Sequence, residues 1–230
     1  MFKSFCIATL LLFTALLARA DARLTETESR WIAAGMSVVS YARTVELPVD
    51  IVVQPGNQPD ASPIAMGIKD GRCKLVLSMR GNPAATALAD SIPPTVFDAV
   101  VEAVFAHEIG HCWRYVQGEW NAAPSGFADS GAANVNDPRH AGAGAVLQES
   151  QREEGYADLV GLAWTRRAHP TQYAEVRVWL ERYRADAAPG EHHDTGAWLR
   201  LAREPSAFGS ADSLFRQAKL LWEREARVVD

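Results

Sequence analysis

His107-Glu108-Ile109-Gly110-His111 sets two imidazoles four residues apart, with a carboxylate beside the first. On an α-helix, positions i and i+4 stand one above the other on the same face. Two histidines so placed can hold one Zn²⁺. Glu108, one step round the helix, can take a proton from a water that the ion activates. The pattern is short, and a chain of this composition would show it by chance about once in a hundred. Corroboration has to come from the rest of the chain.

A catalytic zinc site needs a third protein ligand and an open position for water. The continuation H-E-x-x-H-x-x-G-x-x-H fails, because Arg114 stands where the glycine should be and Gln117 where the third histidine should be. A glutamate fits better. Glu154-Gly155-Tyr156-Ala157-Asp158 puts two acids at i and i+4 on a second expected helix. Glu154 can then reach the ion while Asp158 accepts from the ring N–H of a ligand histidine, which fixes its tautomer. Glu153 is the competing ligand but has no acid four residues on. Leu159, Val160, Leu162 and Trp164 imply that this helix packs into the core and is not a solvated acidic face.

A peptide-hydrolysing site also needs a donor for the developing oxyanion. His140, His169, His192 and His193 remain once His107 and His111 are ligands. His193 is the candidate, with Asp194 as its orienter. The competing reading makes Asp194 or Thr195 a helix N-cap preceded by exposed histidines. His140 falls in a loop and His169 at a helix terminus. Tyr156 reads as core, although a phenol near the ion could also donate.

These residues need elements to hold them. Leu24 to Thr44 reads as an amphipathic helix, and Val49–Val53, Ile64–Ile68 and Cys73–Met79 as short strands. Lys69-Asp70-Gly71-Arg72 joins the last two, and Asp-Gly between apolar runs is a strong hairpin cue. Pro93 and Pro94 close the β region. Thr95 with Asp98 resembles a capping box, so a helix is expected to start there and run through the motif. It is apolar nearly all round, as a buried central helix is. Residues 118–145 lose all periodicity and form a long loop, either a rim over a cleft or a plain insertion. Helical periodicity returns at Val146–Arg167, Thr171–Arg184, Thr195–Arg203 and Ala211–Val228. The expected class is α+β: a small N-terminal sheet packed on a central helix, with a mainly helical C-terminal half.

The chain opens like a secretory signal peptide: Lys3, an apolar run from Phe5 to Leu17, and Ala18-Arg19-Ala20 as a cleavage site. The run is too short to span a bilayer comfortably, which argues against an anchor. Cleavage after residue 20 leaves 21 basic residues against 28 acidic ones, a net charge of −7. No basic run suggests nucleic acid or anionic lipid as a partner. The mature chain, 21–230, suits one domain with no membrane span, periplasmic or secreted. Cys6 leaves with the signal. Cys73 and Cys112 remain, and an even count in an oxidising compartment makes a disulfide the default. Cys112 points about 100° away from His111 and is a poor ligand for the same ion.

The two motif segments together, His107–His111 and Ser150–Gly161 with its Glu154 and Asp158, resemble the gluzincin metallopeptidases. Within them they are most similar to the CaaX-prenyl-protease type, whose second motif reads roughly S-R-x-x-E-x-x-A-D. The likeness covers about a quarter of the chain; Gln151 departs from it, and so does the lack of membrane spans. It implies a zincin-like fold, Zn²⁺ as cofactor, a peptide or protein substrate, and a strand beside the motif helix that pairs with extended substrate. Here that strand would be Cys73–Met79, stapled to the helix by Cys73–Cys112. Two other readings compete. One is a non-catalytic binding or scaffold protein of the cell envelope with the same fold, which the presence of Glu108 disfavours. The other is a different metal hydrolase, such as a deformylase, with a cysteine ligand from upstream. Substrate, cleavage preference and oligomeric state are not legible.

Overall fold

Thr25 starts the first helix, α1 (Glu26–Thr44), with a capping box: its hydroxyl accepts from the Glu28 N–H (3.1 Å), and its own N–H donates to Glu28 Oε2 (2.7 Å). Glu28 is wholly buried, and Arg80 Nη2 donates to the same oxygen (2.8 Å), which ties α1 to the sheet. The structure, a computed structural model, describes residues 23–55, 61–119, 143–185 and 193–225. The expected signal segment, His140 and His192 lie outside the described residues, as does most of the 118–145 loop.

Three strands follow: β1 (Val49–Pro55), β2 (Ile64–Lys69) and β3 (Arg72–Arg80). Asp70 and Gly71 form the expected two-residue hairpin turn, with φ of 54° and 71°. Two successive positive φ values are what a type I′ turn requires and what Asp-Gly tolerates. The sheet order is β1-β3-β2, with β1 parallel and β2 antiparallel to β3. The expectation that Cys73–Met79 offers a free edge is therefore wrong: β3 is the central strand, paired on both sides. The free edge next to the motif helix belongs to β2. Ser78 N–H donates to Pro63 O (2.8 Å), and the register pairs Ile64 with Leu77. The alternation of an antiparallel ladder then turns the backbone groups of Ile64, Met66 and Ile68 away from β3. Among the described residues no strand pairs with that edge.

A helix the sequence reading did not anticipate, α2 (Pro83–Ser91), comes next. Its signals are present but small: Asn82 Oδ1 caps the Ala84 N–H (2.9 Å), and Pro83 occupies the first turn. It buries only Ala85 and Leu88, too few apolar positions to declare a period. The motif helix α3 runs from Phe97 to Val116 after a 3₁₀ turn at Pro94–Val96. The Thr95–Asp98 capping box does not form; Val96 is the N-cap and no side chain bonds there. The 3₁₀ turn takes up the start instead, while Thr95 O accepts from Gln172 Nε2 (2.9 Å).

Fifteen positions of α3 are buried, as its unbroken apolar surface led us to expect. α1 and the sheet cover one side of it, and α4 (Ala143–Ala168) covers the other. α4 runs antiparallel to α3: Arg114 meets Glu153, His107 meets Asp158, and Glu102 meets Trp164. Two glycines allow the close approach. A Cβ on Gly161 would stand 2.7 Å from Ala103 O, and one on Gly110 would stand 3.3 Å from the Ala157 Cα. α5 (Tyr173–Ala185), α6 (Gly196–Leu201) and α7 (Leu214–Glu225) pack round α4 and complete one continuous core. The class is α+β. Among the described residues no helix is long and apolar enough to cross a membrane.

Candidate metal centre

His107 and His111 lie on the α4-facing side of α3, both buried, with ring centroids 4.8 Å apart. Their Nε2 atoms are 3.1 Å from each other. Glu154 reaches in from α4, with Oε2 3.4 Å from His107 Nε2 and Oε1 3.4 Å from His111 Nε2. One donor atom from each of the three residues lies within 4.8 Å of the others, so the cluster can hold a metal ion. The spacing suits a tetrahedral ion. With metal–ligand bonds of about 2.0–2.2 Å, neighbouring donors in a tetrahedron sit about 3.3–3.6 Å apart. Two imidazoles and a carboxylate are a donor set typical of Zn²⁺.

Asp158, one turn along α4, stands behind His107: its Oδ1 is 2.9 Å from Nδ1. A carboxylate can only accept, so Nδ1 carries the hydrogen and Nε2 is left for the ion. The Asp158 oxygens are otherwise fully used. Arg184 on α5 donates from Nη2 to Oδ1 (2.6 Å) and from Nε to Oδ2 (2.9 Å), and the Thr195 hydroxyl donates to Oδ2 (2.6 Å). Arg184 Nη2 also lies 3.4 Å from Glu154 Oε2.

The charges answer one another. Burial alone would pull His107 down, but the Asp158 and Glu154 carboxylates outweigh it and raise the ring to about 10. Burial alone would raise Glu154, but the two histidines hold it well below the usual carboxylate range. Asp158 is likewise held low, against its burial, by Arg184 and His107. Without a metal the cluster therefore keeps a proton on His107 Nε2, where an ion's positive charge would otherwise sit. Glu108 differs: burial pushes it up, only partly offset by the two histidines. A carboxylate raised in this way is better matched to proton transfer near neutral pH than an ordinary one.

Glu153, the competing ligand, faces the other way. Arg114 donates to both its oxygens from Nε (2.9 and 2.7 Å), and Arg114 Nη1 reaches Glu119 Oε2 (2.9 Å). The guanidinium lies over the Trp222 ring, 4.8 Å from its centroid. His193 comes to the rim, its Nε2 3.5 Å from Glu154 Oε2 and its side chain 41% exposed. Asp194 is exposed. Thr195 does not cap α6 with its side chain, which is spent on Asp158. Tyr156 is core, its hydroxyl on Phe215 O (3.3 Å) and its ring stacked on Trp113. His169 sits far along α3 and α4, 3.0 Å from Glu102 Oε2.

Cys73 and Cys112 form the expected disulfide, with Cα atoms 5.7 Å apart. Neither thiolate is then available to a metal, which removes the cysteine-ligand alternative. The bond also sets the Ile68 end of β2, the cross-strand neighbour of Cys73, beside the turn of α3 that carries His111.

Arg184 and Thr195 were missed from sequence. Thr195 carried no signal beyond helix capping. Arg184 carried a faint one: Tyr173, Val176 and Leu180 are the buried stripe of α5, and Arg184 continues it at the i+4 position. A cation on a core stripe marks a buried partner. The chain matches no family model, no curated protein and no solved structure.

Proposed function

We propose that the protein is a zinc-dependent metallopeptidase of the gluzincin type, zincin-like in fold, exported through its N-terminal segment to act in the periplasm or outside the cell. The observation that carries the proposal is the meeting of His107, His111 and Glu154 at tetrahedral spacing between two buried helices, with Asp158 behind His107. A zinc ion held there supplies Lewis-acid activation of water and of a scissile carbonyl. Glu108 is the general base: it accepts the proton of the attacking water and passes it to the leaving amine. Its burial favours the first step, since a carboxylate of ordinary acidity is a weaker base toward the attacking water. His193, half exposed at the rim beside Glu154, would donate to the developing oxyanion. The free edge of β2 offers the outward N–H and C=O groups of Ile64, Met66 and Ile68 to an extended peptide, by strand addition. The substrate is therefore a peptide or an unfolded protein segment.

The test pairs metal analysis with hydrolysis of casein or an unstructured peptide, for wild type and Glu108→Gln. One zinc per chain in both, with hydrolysis by wild type alone, is expected. Full zinc with no hydrolysis by either would favour the scaffold reading, and no zinc in wild type prepared without chelators would end both.

A further inference from the structure

The Asp158 carboxylate accepts four hydrogen bonds, and only one comes from a metal-ligating residue. Two come from Arg184 and one from Thr195, on α5 and just before α6. These elements contribute no ligand. The Arg184 side chain is 9% exposed and spans both acids of α4 that face the cluster, Asp158 and Glu154. A cation here balances the buried Asp158 carboxylate, but balance alone does not call for a guanidinium, since a lysine would supply the same charge. The geometry accounts for it: a planar fork that engages both oxygens of one carboxylate holds that carboxylate in one orientation. Asp158 so held can place its Oδ1 only where His107 Nδ1 meets it.

We infer that Arg184, assisted by Thr195, is a positioning residue for the metal centre, clamping Asp158 so that His107 presents Nε2 to the ion. The inference rests on the metal-binding reading above. Metal affinity then depends on how α5 and the Thr195 turn dock on α4, although neither touches the ion. Loss of a direct partner of a ligand histidine, as Asp158 is of His107, typically costs about 10–100-fold in metal affinity. Loosening it through Arg184 approaches the lower end of that range.

Two substitutions test the clamp without changing net charge. Arg184→Lys keeps the charge and loses the fork; Thr195→Val keeps the shape and loses one hydroxyl. Arg177→Gln is the control, since Arg177 lies on the same helix and pairs with Glu181, away from the cluster. Zn²⁺ affinity is measured by competition with a chromophoric chelator, and the visible spectrum of the Co²⁺-loaded protein reports ligand geometry. Arg184→Lys is expected to weaken Zn²⁺ about tenfold and to shift the Co²⁺ bands. Thr195→Val, the milder change should the lysine variant not fold, is expected to move both in the same direction by less. Arg177→Gln should lower thermal stability and leave both unchanged. Affinity within twofold of wild type for the two clamp variants, with unmoved Co²⁺ bands, would overturn the inference alone. So would an Arg177→Gln loss as large as that of Arg184→Lys. Absence of metal binding in wild type would instead overturn the function proposed above.

Discussion

Breaking the Cys73–Cys112 bond should cost stability without spoiling the metal centre. The bond closes a loop of 39 residues between β3 and α3. In the chain-entropy relation, a loop of that length withholds about 13 cal/mol/K from the unfolded chain, or about 4 kcal/mol at 25 °C. For a domain of about 200 residues each kcal/mol moves the melting temperature by roughly 2–4 °C, so a fall of about 8–16 °C is expected. Both cysteines are wholly buried, so reductant added to the folded protein will not reach them. The protein should be unfolded in denaturant, reduced, and refolded with reductant present, with thiol titration to confirm two free thiols. This keeps both sulfurs and their packing and removes only the bond. Cys73→Ala/Cys112→Ala, measured alongside, adds the packing loss and should melt lower still. Because the effect acts on the unfolded chain, the native cluster is unaltered and Zn²⁺ affinity should stay within about threefold. A melting shift under about 3 °C would refute the loop-closure argument. A large loss of Zn²⁺ affinity would show instead that the bond holds the His111 turn in place.

Three further outcomes follow from the same contacts. Glu154→Gln should abolish tight Zn²⁺ binding, whereas Glu153→Gln should keep it yet destabilise the fold. Orphaning a buried partner such as Arg114 costs about 3–5 kcal/mol, with Glu119 pulling the figure toward the lower end; calorimetry of both variants with and without zinc separates the two effects. The raised His107 ring gives a pH signature. Its folded value lies above its ordinary one, so its contribution to the metal-free protein is complete below about 6.5 and is lost as pH rises through about 10. Metal-free melting temperature should fall across that window relative to the zinc-loaded form, and zinc binding at pH 7 should release a proton, measurable by titration in buffers of different ionisation enthalpy. Finally, Gly161→Ala drives a methyl toward Ala103 O, and overpacking of this kind costs about 1–3 kcal/mol. Denaturant unfolding that shows no loss would mean that α3 and α4 can separate freely.

The motif and its helix were readable because the information is local. His107 and His111 share a face through helical periodicity alone, and the long apolar run round them announces burial on all sides. Asp70-Gly71 marked its hairpin because two consecutive positive φ values suit few residue pairs. Cys73 and Cys112 could be paired because no other cysteine was left once Cys6 was assigned to the signal. α2 was unread for the opposite reason: two buried residues in nine leave no period to detect.

The choice between Glu153 and Glu154 is different in kind. The two sit about 100° apart on α4, and either faces something acceptable in one dimension. Arg114 on α3 decides it by taking Glu153, and Gly110 and Gly161 let α4 come close enough for Glu154 to reach both imidazoles. The order of the strands was equally out of reach, since β1 joins β3 across the intervening β2 and so places β3 in the middle. Arg184 and Thr195 meet on Asp158 from segments 26 and 37 residues away. By itself, then, the sequence determined the motif helix, the shared face of its two histidines, the carboxylate beside them, the hairpin and the disulfide pair, all of which follow from neighbours along the chain or from a count. Tertiary structure alone decided which glutamate completes the cluster, which strand edge is free and what clamps Asp158. Those outcomes depend on how closely separate helices and strands approach, and no spacing within one segment encodes that distance.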